Sequence, residues 1–192
     1  MNESTLVSRA RQGDESAWES LVRQHQDAVF RLAYLIVGDA ADADDVAQEA
    51  FIRAYRALDR FDTTRPLRPW LLKIATNLAR NRQRAIGRYL AAVRRLLLAE
   101  PEPVGVTRRE VEQAWEAQLL WQAVRRLRAQ DQEIIYLRYF LELSEIEAAE
   151  TLGIAQGTVK SRLHRALGRL REVVEQDFPL LGEGRKDERA RV

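Results

Sequence analysis

Between Leu141 and Leu167 the chain carries two short helical patterns joined by one tight turn, and this run narrows the possible folds more than any other. Ser144 is a good N-cap, and Glu147 three residues on completes a capping box. Ala148, Ala149 and Leu152 supply an inward face of small and aliphatic side chains. Gly153 stands where a helix end needs a left-handed residue. A second helix then runs from Gln156 to Gly168, with Val159, Leu163 and Leu167 four apart on its inward side. The opposite face carries Gln156, Thr158, Lys160, Ser161, Arg162, His164 and Arg165. A helix-turn-helix places such a second helix in the DNA major groove, with polar groups on base edges and cations on phosphates. The competing reading is an ordinary helical hairpin with a solvated basic face.

The chain has 192 residues, enough for one large or two small domains. No cysteine is present, which excludes disulfides and thiolate metal sites. His25 and His164 are the two histidines and lie far apart, so a histidine-rich metal site is not expected. No apolar run approaches the ~20 residues of a membrane span, and Met1–Thr5 lacks the basic-then-apolar pattern of a secretion signal. A cytoplasmic protein is the expectation, with no cofactor.

The periodicity is helical throughout. Glu3 to Arg11 is a short helix ending at Gly13, and Asp14 can cap a second helix to about Val37. A third is expected from about Asp42 to Leu58, with Val46, Ala50, Ala54 and Leu58 four apart. Pro66 and Pro69 bracket a loop, and a fourth helix should start near Pro69 and pass Arg84, with Gly87 as a candidate interruption. Glu100 to Gly105, with two prolines, reads as a linker. Helical segments follow from Arg109 to Arg128 and from Asp131 to Leu141. Order should fade after Glu172.

The net charge is only +2, but the charges are segregated. Asp39 to Glu49 holds five acids and no Lys or Arg. Arg53 to Arg95 holds twelve cations against Asp59 and Asp62, and Gly157 to Arg171 holds five cations and no acid. The helix dipole accounts for Asp42 and Asp44 but not for Asp45, Gln48 and Glu49 continuing along a solvent face. Two basic surfaces flanking a linker suggest one nucleic-acid track.

The segment Asp42 to Phe51 resembles the acidic polymerase-binding motif of bacterial sigma factors. Pro69 to Asn81 resembles the promoter-melting helix that follows it, and Leu137–Phe140 with Gly157–Ala166 resembles the family's second DNA-binding domain. The presence of these two domains alone matches the extracytoplasmic-function (ECF) class. The resemblance implies an all-α fold of two small helical domains: region 2 over residues 1–90 and region 4 over 113–177. It places a linker at 91–112 and a disordered tail at 178–192.

The resemblance implies a non-enzymatic specificity subunit that binds core RNA polymerase and promoter DNA, with an anti-sigma factor as a further partner. That partner could hold it at the membrane. Docking on the polymerase clamp helices would use Asp45, Gln48 and Glu49, with Phe51 and Arg53 nearby. At the minus-ten element, Asn77 and Asn81 would read or position a flipped base, and Arg68, Arg80, Arg82 and Arg84 would hold phosphates. Trp70 and Phe61 fit either a stacking platform or the core. At the minus-thirty-five element, Lys160, Ser161, His164 and Arg165 occupy reading positions, with Arg165 the candidate for a guanine. Thr158 and Arg162 would touch phosphate or cap the helix, and His164 would be a neutral stacking group or a pH-sensitive contact.

The sequence departs from the family at Leu127–Gln132, which lacks the usual Leu-Pro and the Arg shortly after it. Ala148 and Thr151 stand where branched aliphatics are usual, which should weaken packing by ~1 kcal/mol each. Two other classes predict different chemistry. A conventional helix-turn-helix regulator would dimerise on palindromes, but the acidic motif followed by an Asn- and Arg-rich helix argues against it. A helical metalloenzyme would use Asp44, Asp45 and Glu49, yet no Glu-x-x-His pattern accompanies them.

Overall fold

The computed structural model describes residues 2–96 and 111–178. Eight α-helices span them: α1 (Glu3–Arg11), α2 (Glu15–Val37), α3 (Ala40–Ala57), α4 (Leu67–Leu96), α5 (Val111–Arg125), α6 (Ala129–Ile135), α7 (Glu145–Leu152) and α8 (Gln156–Asp177). No strand occurs among the described residues. By contact, residues 2–96 with 136–156 form one compact unit, and 111–135 with 157–178 form the other.

In the first unit α2, α3 and α4 pack on one another, and α1 packs on α2. Local sequence sets the helix starts. Asp14 accepts from Ala17 N at 3.1 Å and Asp39 accepts from Asp42 N at 2.9 Å, so α3 begins at Ala40, slightly before the expected start. The Ser16 hydroxyl, Arg9 and the Ala17 N–H hold the Asp14 carboxyl down to about 2. Gly38 ends α2 with φ +82°, a conformation that costs a side chain but not glycine. Along α3, Val46, Ala50, Ala54 and Leu58 are all buried as their spacing predicts. A 3-10 turn, Leu58–Arg60, leads into the loop before α4.

Helix α4 differs from expectation at both ends. It starts at Leu67 instead of Pro69, which sits inside the first turn where its missing N–H costs nothing. It continues without a break through Gly87 for 30 residues. A helix-interior glycine costs only ~1 kcal/mol, too little to break a helix whose earlier turns are packed on α2 and α3. Residues 97–110 and 179–192, with the Glu100–Gly105 linker and most of the expected tail, lie outside the described residues.

Also in the first unit, Tyr136–Phe140 forms a π-turn, with Leu141 N donating to Tyr136 O at 3.0 Å. Then comes α7 with its complete capping box: Glu147 N donates to Ser144 Oγ and Ser144 N to Glu147 Oε2. Gly153 closes α7 at φ +67°. Thr151, placed where an aliphatic was expected, is buried, and its hydroxyl donates to Glu147 O at 2.8 Å. Its polar atom is therefore satisfied inside its own helix.

In the second unit Ala123, Val124, Leu127, Ile134, Val159 and Ala166 are core. Asp131, 3% exposed, takes a bidentate pair from Arg169, both contacts 2.7 Å, and so joins α6 to α8. The Leu127–Gln132 departure has its own local solution. Gln132 Nε2 donates to Arg125 O and Leu127 O at 3.0 and 2.8 Å, satisfying carbonyls at the end of α5. Helix α8 runs to Asp177 rather than fading after Glu172. Arg126 holds its end: it pairs with Asp177 at 2.8 Å and lies over the Phe178 ring, which is buried.

Candidate functional site

Helix α3 presents its acids unevenly. Asp42 is paired with Arg82 of α4, which also approaches Asp45 at 3.7 Å. Those contacts hold the Arg82 guanidinium even more firmly charged. Arg82 thus faces the acidic helix, away from the side expected to carry phosphates. Asp45 remains 70% exposed. Asp44 accepts from Gln48 Nε2 at 2.7 Å, and Glu49 accepts from Arg53 Nε at 2.7 Å, both one turn apart on the surface. Asp44, Asp45, Gln48 and Glu49 therefore make a continuous acidic and amide stripe.

Beside that stripe runs a groove of about 300 Å³ between α2 and α3, lined by Val22, Gln26, Phe30, Asp44, Gln48 and Phe51. Phe51 is half-buried against Trp18, ring centroids 6.3 Å apart. Phe30 and Tyr34, one turn apart on α2, are 38% and 42% exposed and stack at 6.3 Å with an interplanar angle of 12°. The sequence reading missed this pair. The available signal was two aromatics on the polar side of an otherwise regular amphipathic helix.

The exposed side of α4 is of opposite character. Lys73, Asn77, Asn81, Arg84 and Arg88 are exposed and recur at spacings of three or four, so they share one face. Asn81 Oδ1 accepts from Arg84 Nη2 at 2.6 Å, and Arg84 Nε donates to Arg80 O at 3.3 Å. Arg80 is half-buried. Arg68 donates to Leu141 O at 2.9 Å, so its guanidinium is engaged within the unit. Phe61 is buried at 6% exposure and Trp70 is half-buried, their rings 4.8 Å apart. Both line a cleft of about 560 Å³ together with Arg60, Arg65 and Lys73. Phe61 belongs to the core, whereas Trp70 is core on one side and cleft wall on the other.

On α8, Val159 and Ala166 are fully buried, while Leu163 and Leu167 are half-buried. Lys160, Ser161, His164 and Arg165 are exposed, and Thr158 and Arg162 are half-buried. Ser161 Oγ donates to Thr158 O at 3.1 Å and Arg165 Nε to Ser161 O at 3.2 Å, which lays the arginine along the helix. Among the described residues no three His, Asp or Glu side chains are grouped to hold a metal ion. No described helix is long and apolar enough to cross a membrane.

Known proteins match this arrangement. Residues 21–89 fit the Sigma-70 region 2 family and residues 117–170 the Sigma-70 region 4 family. The ECF RNA polymerase sigma factor SigW of Bacillus subtilis is 35% identical over 174 residues, 86% of this chain and 93% of that protein. The ECF sigma factor SigL of Mycobacterium tuberculosis is 33% identical over 88% of this chain and 96% of its own. CnrH, solved with the cytosolic domain of CnrY, superposes with a TM-score of 0.69 at 28% identity, covering 91% of this chain and 98% of that one. RpoE from Bartonella quintana, solved with the anti-sigma factor NepR, gives 0.64 at 26% identity over 83% and 97%. With both sigma regions matched in order and full-length relatives above 30% identity, the chain belongs to the ECF sigma factors of bacterial RNA polymerase, which direct transcription initiation.

Proposed function

We infer that the two faces of the α2–α3–α4 bundle divide the work of initiation between them. The acidic stripe Asp45, Gln48 and Glu49, with Phe51 and the adjoining groove, docks on the polymerase clamp helices. There the carboxylates meet arginines through charge-assisted hydrogen bonds, and Arg53 holds Glu49 in place. The face carrying Lys73, Asn77, Asn81 and Arg84 takes the opened minus-ten strand, with Trp70 and the cationic cleft beside it. Helix α8 reads the minus-thirty-five duplex through Lys160, Ser161, His164 and Arg165. Thr158 and Arg162 lie on its phosphate side, and Arg80 and Arg68 flank the α4 face.

One observation carries this reading. The first half of α3 exposes the acids Asp44, Asp45 and Glu49 and the outer face of α4 exposes base, while Asp42 and Arg82 neutralise each other where the two helices meet. The surface charges left over are sorted by partner. Charge reversal of Asp45 and Glu49 to Lys should abolish co-purification with core polymerase while leaving circular dichroism unchanged. Retained wild-type affinity would overturn the docking assignment. The likeness to RpoE, solved with an anti-sigma factor, supports a protein inhibitor as a further partner. The chain itself would act without catalysis, in the cytoplasm or held at the membrane by that inhibitor.

A further inference from the structure

Helix α1 lies outside both matched sigma regions, yet its side chains hold the segment that joins α3 to α4 at both ends. At the near end, Arg11 Nε donates to Leu58 O at 2.9 Å, and Arg11 Nη2 donates to Phe61 O. At the far end, Glu3 Oε2 accepts from Leu67 N at 2.9 Å, the first backbone N–H of α4. The second Glu3 oxygen is held by His25 Nε2 at 3.0 Å, and His25 is buried in α2. Leu6, Val7 and Ala10 bury the apolar side of α1, so the two polar anchors project from a fixed support.

Between the anchors the chain is tied to itself. Thr64 N and Thr64 Oγ1 both donate to Asp62 Oδ1, at 3.0 and 2.7 Å, and Arg65 N donates to Asp62 O at 3.1 Å. This loop is a turn with both ends pinned by one helix. A carboxylate at the start of α4 also suits the helix dipole. Leu58 O also accepts from Phe61 N within the 3-10 turn, so Arg11 adds a second donor there, and Glu3 satisfies a first-turn N–H of α4 that has no partner inside the helix.

We propose that α1 is a brace that fixes the 61–66 loop and the first turn of α4 in the geometry that captures an opened promoter strand, with Arg11 and Glu3 as positioning residues. The proposal rests on the strand-opening reading of α4 given above. Neither residue needs to touch DNA. They act through Phe61, which packs on Trp70, and through the start of the helix that carries Lys73 and Asn77.

The test uses the full chain reconstituted with core polymerase on a cognate promoter, comparing wild type with Arg11→Gln and Glu3→Ala. Permanganate reactivity of minus-ten thymines reports opening, and band shifts report polymerase binding and the closed complex. Opening should fall roughly ten-fold or more, as a displaced reacting geometry does, with core binding and closed-complex formation unchanged. A template with a pre-opened bubble should restore much of the loss. Arg11→Lys, which keeps one donor nitrogen in place of two, and Glu3→Gln, which keeps one acceptor oxygen, should lie in between. A merely structural role would instead lower core binding and opening together, and that result would overturn the proposal. So would wild-type opening in both variants. If the wild-type chain itself left the thymines unreactive, the strand-opening reading would fall first and the brace with it.

Discussion

His25 shows how a single side chain couples stability to pH. Burial holds its imidazole below the usual value, Glu3 opposes that shift, and Arg68 adds to it. A histidine kept neutral in the fold contributes stability that is complete above the unfolded value of ~6.5. That contribution is lost as pH falls toward the depressed folded value, because the unfolded chain then takes up the proton first. Urea denaturation from about pH 7 down to about pH 5 should therefore show declining stability. His25→Gln should flatten that decline, and an equal decline in the variant would assign it to other groups. At the proposed DNA-reading surface of α8, Arg165→Ala should relax preference at one minus-thirty-five position by ~1–3 kcal/mol. Lys160→Ala should weaken all sequences alike and reduce the salt slope by about one unit. Selection of promoter variants distinguishes the two. A uniform loss from Arg165→Ala would move specificity to Ser161, His164 or DNA shape.

At the scale of an element, what was legible in the sequence was what is local. The Ser144–Glu147 box, the Gly153 left-handed end and the Asp14 cap each follow from a few neighbouring residues, and each is present. What was not legible depends on partners distant in the chain. The end of α8 at Asp177 meets Arg126, 51 residues away, and the Arg11 contact to Leu58 spans 47 residues. Arg82 could not be separated from Arg84 by composition. Only the helical phase against Asp42 turns one inward to α3 and leaves the other on the basic face. Ser144→Ala should cost ~1 kcal/mol by removing the cap. Faster amide exchange in the first turn of α7 would report it, and unchanged exchange would show that the box is redundant. In the second unit, Arg169→Leu should lower the melting temperature more than Arg126→Leu. It strands the buried Asp131 carboxylate, whereas Asp177 is 39% exposed and stays solvated.

For the molecule as a whole, the proposed function puts two separable tasks on two faces of one helical bundle. Both sigma regions are matched in the chain, and the charge sorting supports the proposed assignment of docking to α3 and strand capture to α4. Open-complex formation measured as a function of core polymerase concentration tests this directly, because docking and strand capture move different parameters of one curve. Asp45→Lys with Glu49→Lys should shift the midpoint to higher polymerase and leave the plateau unchanged. Asn77→Ala should lower the plateau and leave the midpoint at the wild-type position. If both variants shifted the same parameter, the division of labour between α3 and α4 would be contradicted.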